Sequence, residues 1–136
     1  MIVLDTNIVL DTFVFNDPAT RSLKLALVSK EVQWMATQPM RDELERVLTY
    51  PKILARMNFY QLVAADVLAH FDGLARITDV APKANVTCAD PDDQKFIDLA
   101  VVLKVPLLSK DRAVLCMAKR LLALDVRACS AIELVA

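Results

Sequence analysis

The stretch MIVLDTN, residues 1–7, places an acidic side chain directly after a compact apolar run. Residues 1–4 are typical of a buried β-strand. An aspartate at the end of such a strand, followed by Thr6 and Asn7, rarely has a packing reason. We therefore expect Asp5 to lie at the carboxyl end of the first strand, where parallel sheets bind their ligands.

Beyond this stretch, short β-prone runs alternate with longer helical patterns. The predicted strands are MIVL (1–4), VQWMA (32–36), ARITD (75–79), VPLLS (105–109) and DVRAC (125–129). The predicted helices cover 18–30, 39–49, 58–72 with Gly73 just past its end, 91–104 and 111–122, with a last helical turn after residue 129. This alternation predicts an α/β fold with a central parallel sheet of four to five strands, covered on both faces by helices.

Length and composition indicate one globular domain over residues 1–136. The chain is 56% hydrophobic and 24% charged, with a net charge of −1. A protein that holds nucleic acid by broad charge neutralisation is normally far more basic, so any nucleic acid must be held locally, through metal ions for example. The first residues lack the basic start of a signal peptide, and Lys104 splits the longest apolar run, so we expect neither a signal peptide nor a membrane span.

The scarce residue types exclude several kinds of site. The three cysteines, Cys88, Cys116 and Cys129, have no CxxC spacing, so we expect buried, reduced thiols and a cytoplasmic protein. His70 is the single histidine, which removes most support for zinc sites and for Ser–His or Cys–His pairs. Gly73 is the single glycine, so neither GxGxxG nor a P-loop can be written. The chemistry must depend on carboxylates.

Acidic residues follow or begin several of the predicted elements. They are Asp5 after the first strand, Glu43 one turn into the helix after the second, Asp90, Asp92 and Asp93 at the start of the next helix, and Asp111 after the fourth strand. Gathered at one sheet edge they would repel one another, and Mg²⁺ or Mn²⁺ is the natural counterion for oxygen ligands. Helix capping by Asp90 or Ser109 and a solvated Glu43 are alternatives that stay open.

Four segments in this order resemble the PIN-domain family, in its bacterial branch of VapC-like toxin components of toxin–antitoxin pairs. They are the opening Asp5-Thr6-Asn7, DELERVLTYPKI (42–53), CADPDDQKFIDLA (88–100) and PLLSKDRAVL (106–115). The resemblance implies a three-layer α/β/α sandwich with a parallel sheet and Mg²⁺- or Mn²⁺-dependent cleavage of RNA.

The resemblance also implies roles for individual residues. Asp5, Glu43, Asp93 and Asp111 become the catalytic acids and metal ligands, with Asp5, Asp93 and Asp111 on a principal ion and Glu43 on the side of a second ion or a water. Thr6, Asn7, Ser109, Asp90 and Asp92 become supporting residues. The family commonly has Gly where Lys110 stands and often a second Asp where Ala113 stands, which puts full metal occupancy in doubt.

Basic residues near the acidic motifs are candidate RNA contacts, with a solvated helix surface as the alternative. They are Arg41, Lys95, Lys110 and Arg112, with Arg46 and Lys52 further along the same segments. The expected partners are an RNA substrate, a protein antitoxin and a second copy of the chain in a homodimer, with Phe13, Phe15, Met57, Phe59 and Tyr60 as apolar candidates for an interface or for the core.

Three alternative functions are weighed against the nuclease. A phosphatase of the haloacid-dehalogenase type needs a second acid where Asn7 stands, and a receiver domain would have only Asp79 at the end of a strand. The serious alternative is a PIN fold that binds RNA or protein and cuts weakly or not at all. Measured metal-dependent cleavage separates that alternative from the enzyme.

Overall fold

A computed structural model describes residues 1–131, and within them five short parallel strands form the centre of the fold. The strands are β1 (Val3–Leu4), β2 (Trp34–Ala36), β3 (Ala75–Ile77), β4 (Leu107–Leu108) and β5 (Ala128–Cys129). Strands β1, β4 and β5 form one sheet in the order β1-β4-β5, and β2 pairs with β3. A parallel bridge between Ile2 and Trp34 joins the two parts, giving the order β3-β2-β1-β4-β5. The predicted parallel sheet is confirmed.

Helices follow or separate the strands, as expected for right-handed crossovers between parallel strands. They are α1 (Thr6–Phe13), α2 (Arg21–Val28), α3 (Gln38–Val47), α4 (Pro51–Phe59), α5 (Ala64–Leu74), α6 (Gln94–Leu103), α7 (Arg112–Leu115) and α8 (Ala118–Leu122). Two short 3-10 turns, Pro18–Thr20 and Pro91–Asp93, lead into α2 and α6. In both turns proline occupies an early helical position, where its missing N–H costs nothing.

The core lies between the sheet and the helices on its two sides. Both residues of β1, β4 and β5 and all three of β2 are buried, as in a sheet covered on both faces. Around Trp34, the rings of Phe13 and Phe71 lie with centroids 6.1 Å and 4.8 Å away. Full burial of one such apolar side chain contributes about 1.5–3 kcal/mol, so this packing fixes α1 and α5 against the sheet. The α/β/α architecture is confirmed.

Several predicted boundaries were wrong. Helix α1 was not predicted. Helix α4 was not predicted either, because Pro51 was interpreted as an interruption, whereas it lies in the first turn of a new helix. The predicted helix 58–72 begins only at Ala64, and Gly73 lies inside α5 rather than after it. The segment 111–122 forms two helices, α7 and α8. Most of the helical turn predicted after residue 129 lies outside the described residues.

The cysteine prediction needs one correction. Cys88 and Cys129 are buried thiols, as predicted, but the Cys116 thiol is exposed. Cys116 follows directly after α7, on the side of the chain that faces solvent, so its burial could not be judged from a short and interrupted helical pattern. No disulfide joins any two of the three cysteines.

The strand order positions the site. Strands β2 and β3 lie on one side of β1, and β4 and β5 lie on the other, so the order reverses between β1 and β4. In open parallel sheets a crevice forms at the carboxyl ends of the two strands that flank such a reversal. Asp5 follows β1 and Ser109 follows β4, which places both at this crevice.

Candidate functional site

Asp5 is held at the end of β1 by its backbone and by one side-chain hydrogen bond. Its N–H donates to the carbonyl of Leu108 at 2.9 Å, so the β1–β4 pairing continues to this residue. The Ser109 hydroxyl donates to Asp5 Oδ2 at 2.6 Å. Burial raises the pKa of Asp5 to about 6, and the nearby charges of Glu43 and Asp111 add to the increase, against the lowering effect of the Ser109 hydrogen bond. The pKa indicates a carboxylate that lacks enough positive charge around it.

Asp93 is the last residue of the 3-10 turn before α6, and of these carboxyls it has the most strongly raised pKa. It is 7% exposed, and its Oδ2 atom has no hydrogen-bond partner in the described part of the chain. Burial, the charge of Asp5 and a hydrogen bond with Asp111 raise the pKa of Asp93 to about 8. A buried carboxylate oxygen without a partner is rare and costly, so it calls for a ligand or an ion.

Asp111 begins α7 and approaches from the β4 side. Its Oδ1 accepts a hydrogen bond from the N–H of Ala113 at 2.9 Å, as an N-cap residue does. Its own N–H donates to Ser109 Oγ at 2.9 Å. The buried Ser109 hydroxyl therefore connects Asp5 to Asp111 through these two hydrogen bonds. The capping alternative assigned this role to Ser109, but the N-cap of α7 is Asp111, which caps the helix and also belongs to the acidic cluster.

Asp5, Asp93 and Asp111 together form what we call the aspartate trio. One oxygen from each lies within 4.8 Å of the others, a spacing from which all three could bind one ion. No lysine or arginine within residues 1–131 forms an ion pair with any of them. The raised pKa values of Asp5 and Asp93 and the unpartnered Asp93 Oδ2 indicate that the protein leaves this charge uncompensated. The oxygen-only donor set fits Mg²⁺ or Mn²⁺.

Glu43, the fourth predicted acid, borders the trio and is bound to protein groups instead. It lies on α3, where its Oε1 is 2.8 Å from Lys95 Nζ and its Oε2 accepts a short hydrogen bond from the Thr6 hydroxyl. Its charge is close enough to raise the pKa of Asp5. The structure therefore brings all four acids to one edge of the sheet but gives Glu43 a different electrostatic partner.

The other predicted supporting residues act on the backbone around the trio. Asn7 Oδ1 accepts from the N–H of Lys110 at 3.2 Å, which ties the start of α1 to the loop after β4. Asp90 caps the 3-10 turn by accepting from the N–H of Asp92 at 3.0 Å, so the capping alternative describes Asp90 well. The Asp92 side chain is exposed, and its carbonyl accepts from Lys95.

Three of the four predicted RNA contacts form ion pairs with carboxylates. Arg41 binds Asp72 through two hydrogen bonds of 2.7 and 2.9 Å, and Lys95 binds Glu43. Lys110 binds Asp11 at 2.7 Å. Arg112 is exposed at the start of α7 and forms no ion pair with the part of the chain that the structure describes.

Asp11 is a buried acid that the sequence interpretation missed. It lies on α1, is 4% exposed and pairs with Lys110, which stands between Ser109 and Asp111. Recognition of α1 would have indicated Asp11, because it follows Asn7 by four residues and therefore lies on the same face of the helix. The pair holds the Lys110 ammonium on Asp11, so that it does not neutralise the trio.

Comparisons with known proteins agree with this geometry. The family model described as PIN domain matches residues 1–113, which include all three members of the trio and Glu43. No curated protein and no solved structure matches the chain. Among residues 1–131, none of the helices is both long enough and apolar enough to cross a bilayer.

Proposed function

The chain belongs to the PIN-domain family, and from this membership we propose that it is a Mg²⁺- or Mn²⁺-dependent endoribonuclease. PIN domains are nuclease-type folds, and the aspartate trio could bind a metal ion. The observation that carries the proposal is the uncompensated charge of the trio, in which a buried Asp93 oxygen has no partner among the described residues. Buried negative charge without a partner destabilises the protein, and a bound cation would remove that destabilisation.

Each residue of the site has a role in the proposed reaction. Asp5, Asp93 and Asp111 would hold the cation, and Ser109 would fix the orientation of Asp5. A divalent ion in such a site lowers the pKa of bound water and stabilises charge on phosphate oxygens. Water attack on phosphorus breaks the P–O bond of the RNA backbone without a covalent enzyme intermediate.

RNA as the substrate and toxin as the biological role rest on the resemblance of the motifs to the VapC-like branch. We propose that the chain acts in the cytoplasm on single-stranded or structured RNA and that a protein antitoxin controls it. A homodimer is proposed from exposed apolar side chains that lie on α4 or flank it on either side. They are Tyr50, Leu54, Phe59, Tyr60 and Val63, whereas Phe13 and Met57, two of the predicted interface candidates, are buried.

One observation favours the alternative of a binding module, a PIN fold that binds a protein partner and cuts RNA weakly or not at all. With a net charge of −1 and three of the four candidate RNA-contacting cations bound to carboxylates, the surface offers little attraction for phosphate before an ion is bound. The enzyme and the binding module therefore differ in one respect, which is whether RNA is cleaved when metal is added.

The test is cleavage of a mixed single-stranded RNA pool with Mn²⁺, with Mg²⁺ and with EDTA. We expect products with the wild type and a divalent ion, none with EDTA, and none with Asp5→Asn. Asp125→Asn is the matched control, because Asp125 is exposed, lies before β5 and has a backbone conformation with φ of 65° that asparagine also adopts. Full activity of Asp5→Asn would overturn the assignment, and a folded wild type that cuts nothing would favour the binding module.

A further inference from the structure

Both oxygens of Glu43 are bound by the protein itself. Thr6 donates its hydroxyl to Oε2, and Lys95 Nζ lies 2.8 Å from Oε1. The Glu43 side chain is 12% exposed and the Lys95 side chain 24%, so water shields this ion pair much less than a pair on the open surface. A metal ion on Glu43 would have to displace either the hydroxyl or the ammonium.

The ammonium of Lys95 is itself held at the backbone next to Asp93. Lys95 is the second residue of α6 and follows Asp93 by two positions. Its Nζ also donates to the carbonyl of Asp92 and lies 4.9 Å from the centroid of the Phe96 ring. An ammonium has three N–H donors, so the bonds to Glu43 and Asp92 leave one donor for a ligand.

The carboxylates near the site therefore fall into two unlike sets. Within residues 1–131, the group that could share one ion consists of Asp5, Asp93 and Asp111, and Glu43 is not in it. Phosphodiester-cleaving sites with two ions use the second cation to stabilise the oxygens of the reacting phosphate. In this chain a fixed positive charge already stands at the fourth carboxylate.

We propose that the site takes a single divalent cation on the aspartate trio, and that the Lys95 ammonium, held on Glu43, supplies the positive charge that a second cation supplies in two-metal sites. This inference rests on the proposed nuclease function. Lys95 uses its third N–H for a phosphate oxygen of the RNA, and Glu43 and Thr6 position Lys95 instead of binding metal.

Calorimetric titration with Mn²⁺ tests the inference without using activity. We expect the wild type and Glu43→Gln to bind about one ion per chain, as a single-cation site requires, with an affinity for Glu43→Gln at most about tenfold weaker because a nearby negative charge is lost. Lys95→Met should bind Mn²⁺ at least about tenfold more tightly, or take a second ion, since a positive charge beside the trio is lost. Lys95→Arg keeps the charge and should behave as the wild type.

Matched controls come from pairs elsewhere on the surface. Lys104→Met removes a lysine that pairs loosely with Asp125 at 3.8 Å, and Glu45→Gln changes an exposed glutamate on the same helix as Glu43. Neither should alter Mn²⁺ binding. Thermal melts of every variant in EDTA establish that it is folded before titration.

The outcomes separate this inference from the proposed function. A wild type that binds two ions, a Glu43→Gln variant that loses Mn²⁺ affinity as Asp93→Asn does, or a Lys95→Met variant that binds Mn²⁺ as the wild type does would overturn the inference. The nuclease proposal would stand in each of these cases. A wild type that binds no Mn²⁺ would overturn both.

Discussion

The carboxylates at one sheet edge have opposite electrostatic surroundings in two neighbouring regions. Glu43 is neutralised by Lys95 and oriented by Thr6, whereas Asp5, Asp93 and Asp111 have no cation among the described residues. The consequence appears in the pKa values, which burial and mutual repulsion raise to about 6 for Asp5 and about 8 for Asp93. Charge compensation, more than the mere presence of acids, therefore distinguishes the part of the edge that needs a metal ion.

The largest expected effect comes from removing charge in the uncompensated part. Asp93→Asn should lower the rate of metal-dependent RNA cleavage by roughly 10²–10³-fold, the loss typical when one electrostatic contact of a transition state is removed. It should also raise the melting temperature in EDTA at pH 8, because the repulsion with Asp5 disappears. Paired cleavage assays and thermal melts measure the two effects.

Asp125→Asn serves as the control for this variant and should leave both cleavage and melting temperature nearly unchanged. An Asp93→Asn variant that melts at a lower temperature than the wild type in EDTA would show that the Asp93 charge is already compensated. That result would remove the contrast between the trio and Glu43.

The next effect is on the pH dependence of stability without metal. Asp5 and Asp93 have folded pKa values above the ordinary 3.8, so the folded state holds their protons more strongly than the unfolded chain. Their contribution to stability is complete below pH 4 and is lost as the pH rises through about 6 and then about 8. The shift of Asp5 alone corresponds to about 3 kcal/mol.

Urea unfolding in EDTA at pH 5 and at pH 8.5 measures this loss. We expect lower stability at pH 8.5, recovery of the loss on adding Mn²⁺, and a smaller pH effect in Asp93→Asn. Equal stability at the two pH values in the wild type would contradict the assigned pKa shifts.

A smaller effect is expected from the group that links two members of the trio. Ser109→Ala removes the hydroxyl that donates to Asp5 and accepts from the N–H of Asp111. Loss of such an orienting contact typically lowers metal affinity or activity by about 10–100-fold. Mn²⁺ titration and cleavage rates test this, with Ser22→Ala on the exposed face of α2 as control. An unaltered Mn²⁺ affinity would mean that Asp5 is oriented by its backbone alone.

The smallest effect lies away from the acidic edge. Gly73 lies inside α5, and a methyl group added there would meet nothing within 4 Å. Gly73→Ala should therefore stabilise the protein by about 0.5–1 kcal/mol, through the higher helix propensity of alanine, and leave cleavage unchanged. Urea unfolding would show the gain, and a loss of stability would place Gly73 in a backbone conformation other than helix. A gain in stability with unchanged cleavage would show that stability can vary independently of the charge at the sheet edge.

The sequence was sufficient to predict the parallel sheet and the positions of Asp5 and Asp111 after its strands, because both depend on local patterns. The choice of Asp93 over Asp90 and Asp92 came from the resemblance to the family. Apolar runs such as residues 1–4 mark buried strands, and an acid directly after a strand lies at the sheet edge. Helix α1 escaped prediction because seven of its eight residues are buried and several are β-branched, so no amphipathic period is visible. Packing against Trp34 and α2 determines that segment, and such contacts cannot be read locally.

The ion pairs of the site were beyond sequence-based prediction for a related reason. Lys95 and Glu43 are 52 positions apart, and Lys110 and Asp11 are 99 positions apart in the numbering. Only the folded chain brings these partners together, so the basic residues near the acidic motifs were interpreted as candidate RNA contacts. Their commitment to carboxylates is the main change that the structure makes to that interpretation.

A crystal structure of the wild type grown with Mn²⁺, with anomalous diffraction data to locate the ion, tests the metal site most directly. We predict one anomalous peak within coordination distance of Asp5, Asp93 and Asp111, with Glu43 still bound to Lys95. A peak coordinated by Glu43, or no peak at the trio at saturating Mn²⁺, would contradict the central claim that the uncompensated aspartates form the metal site.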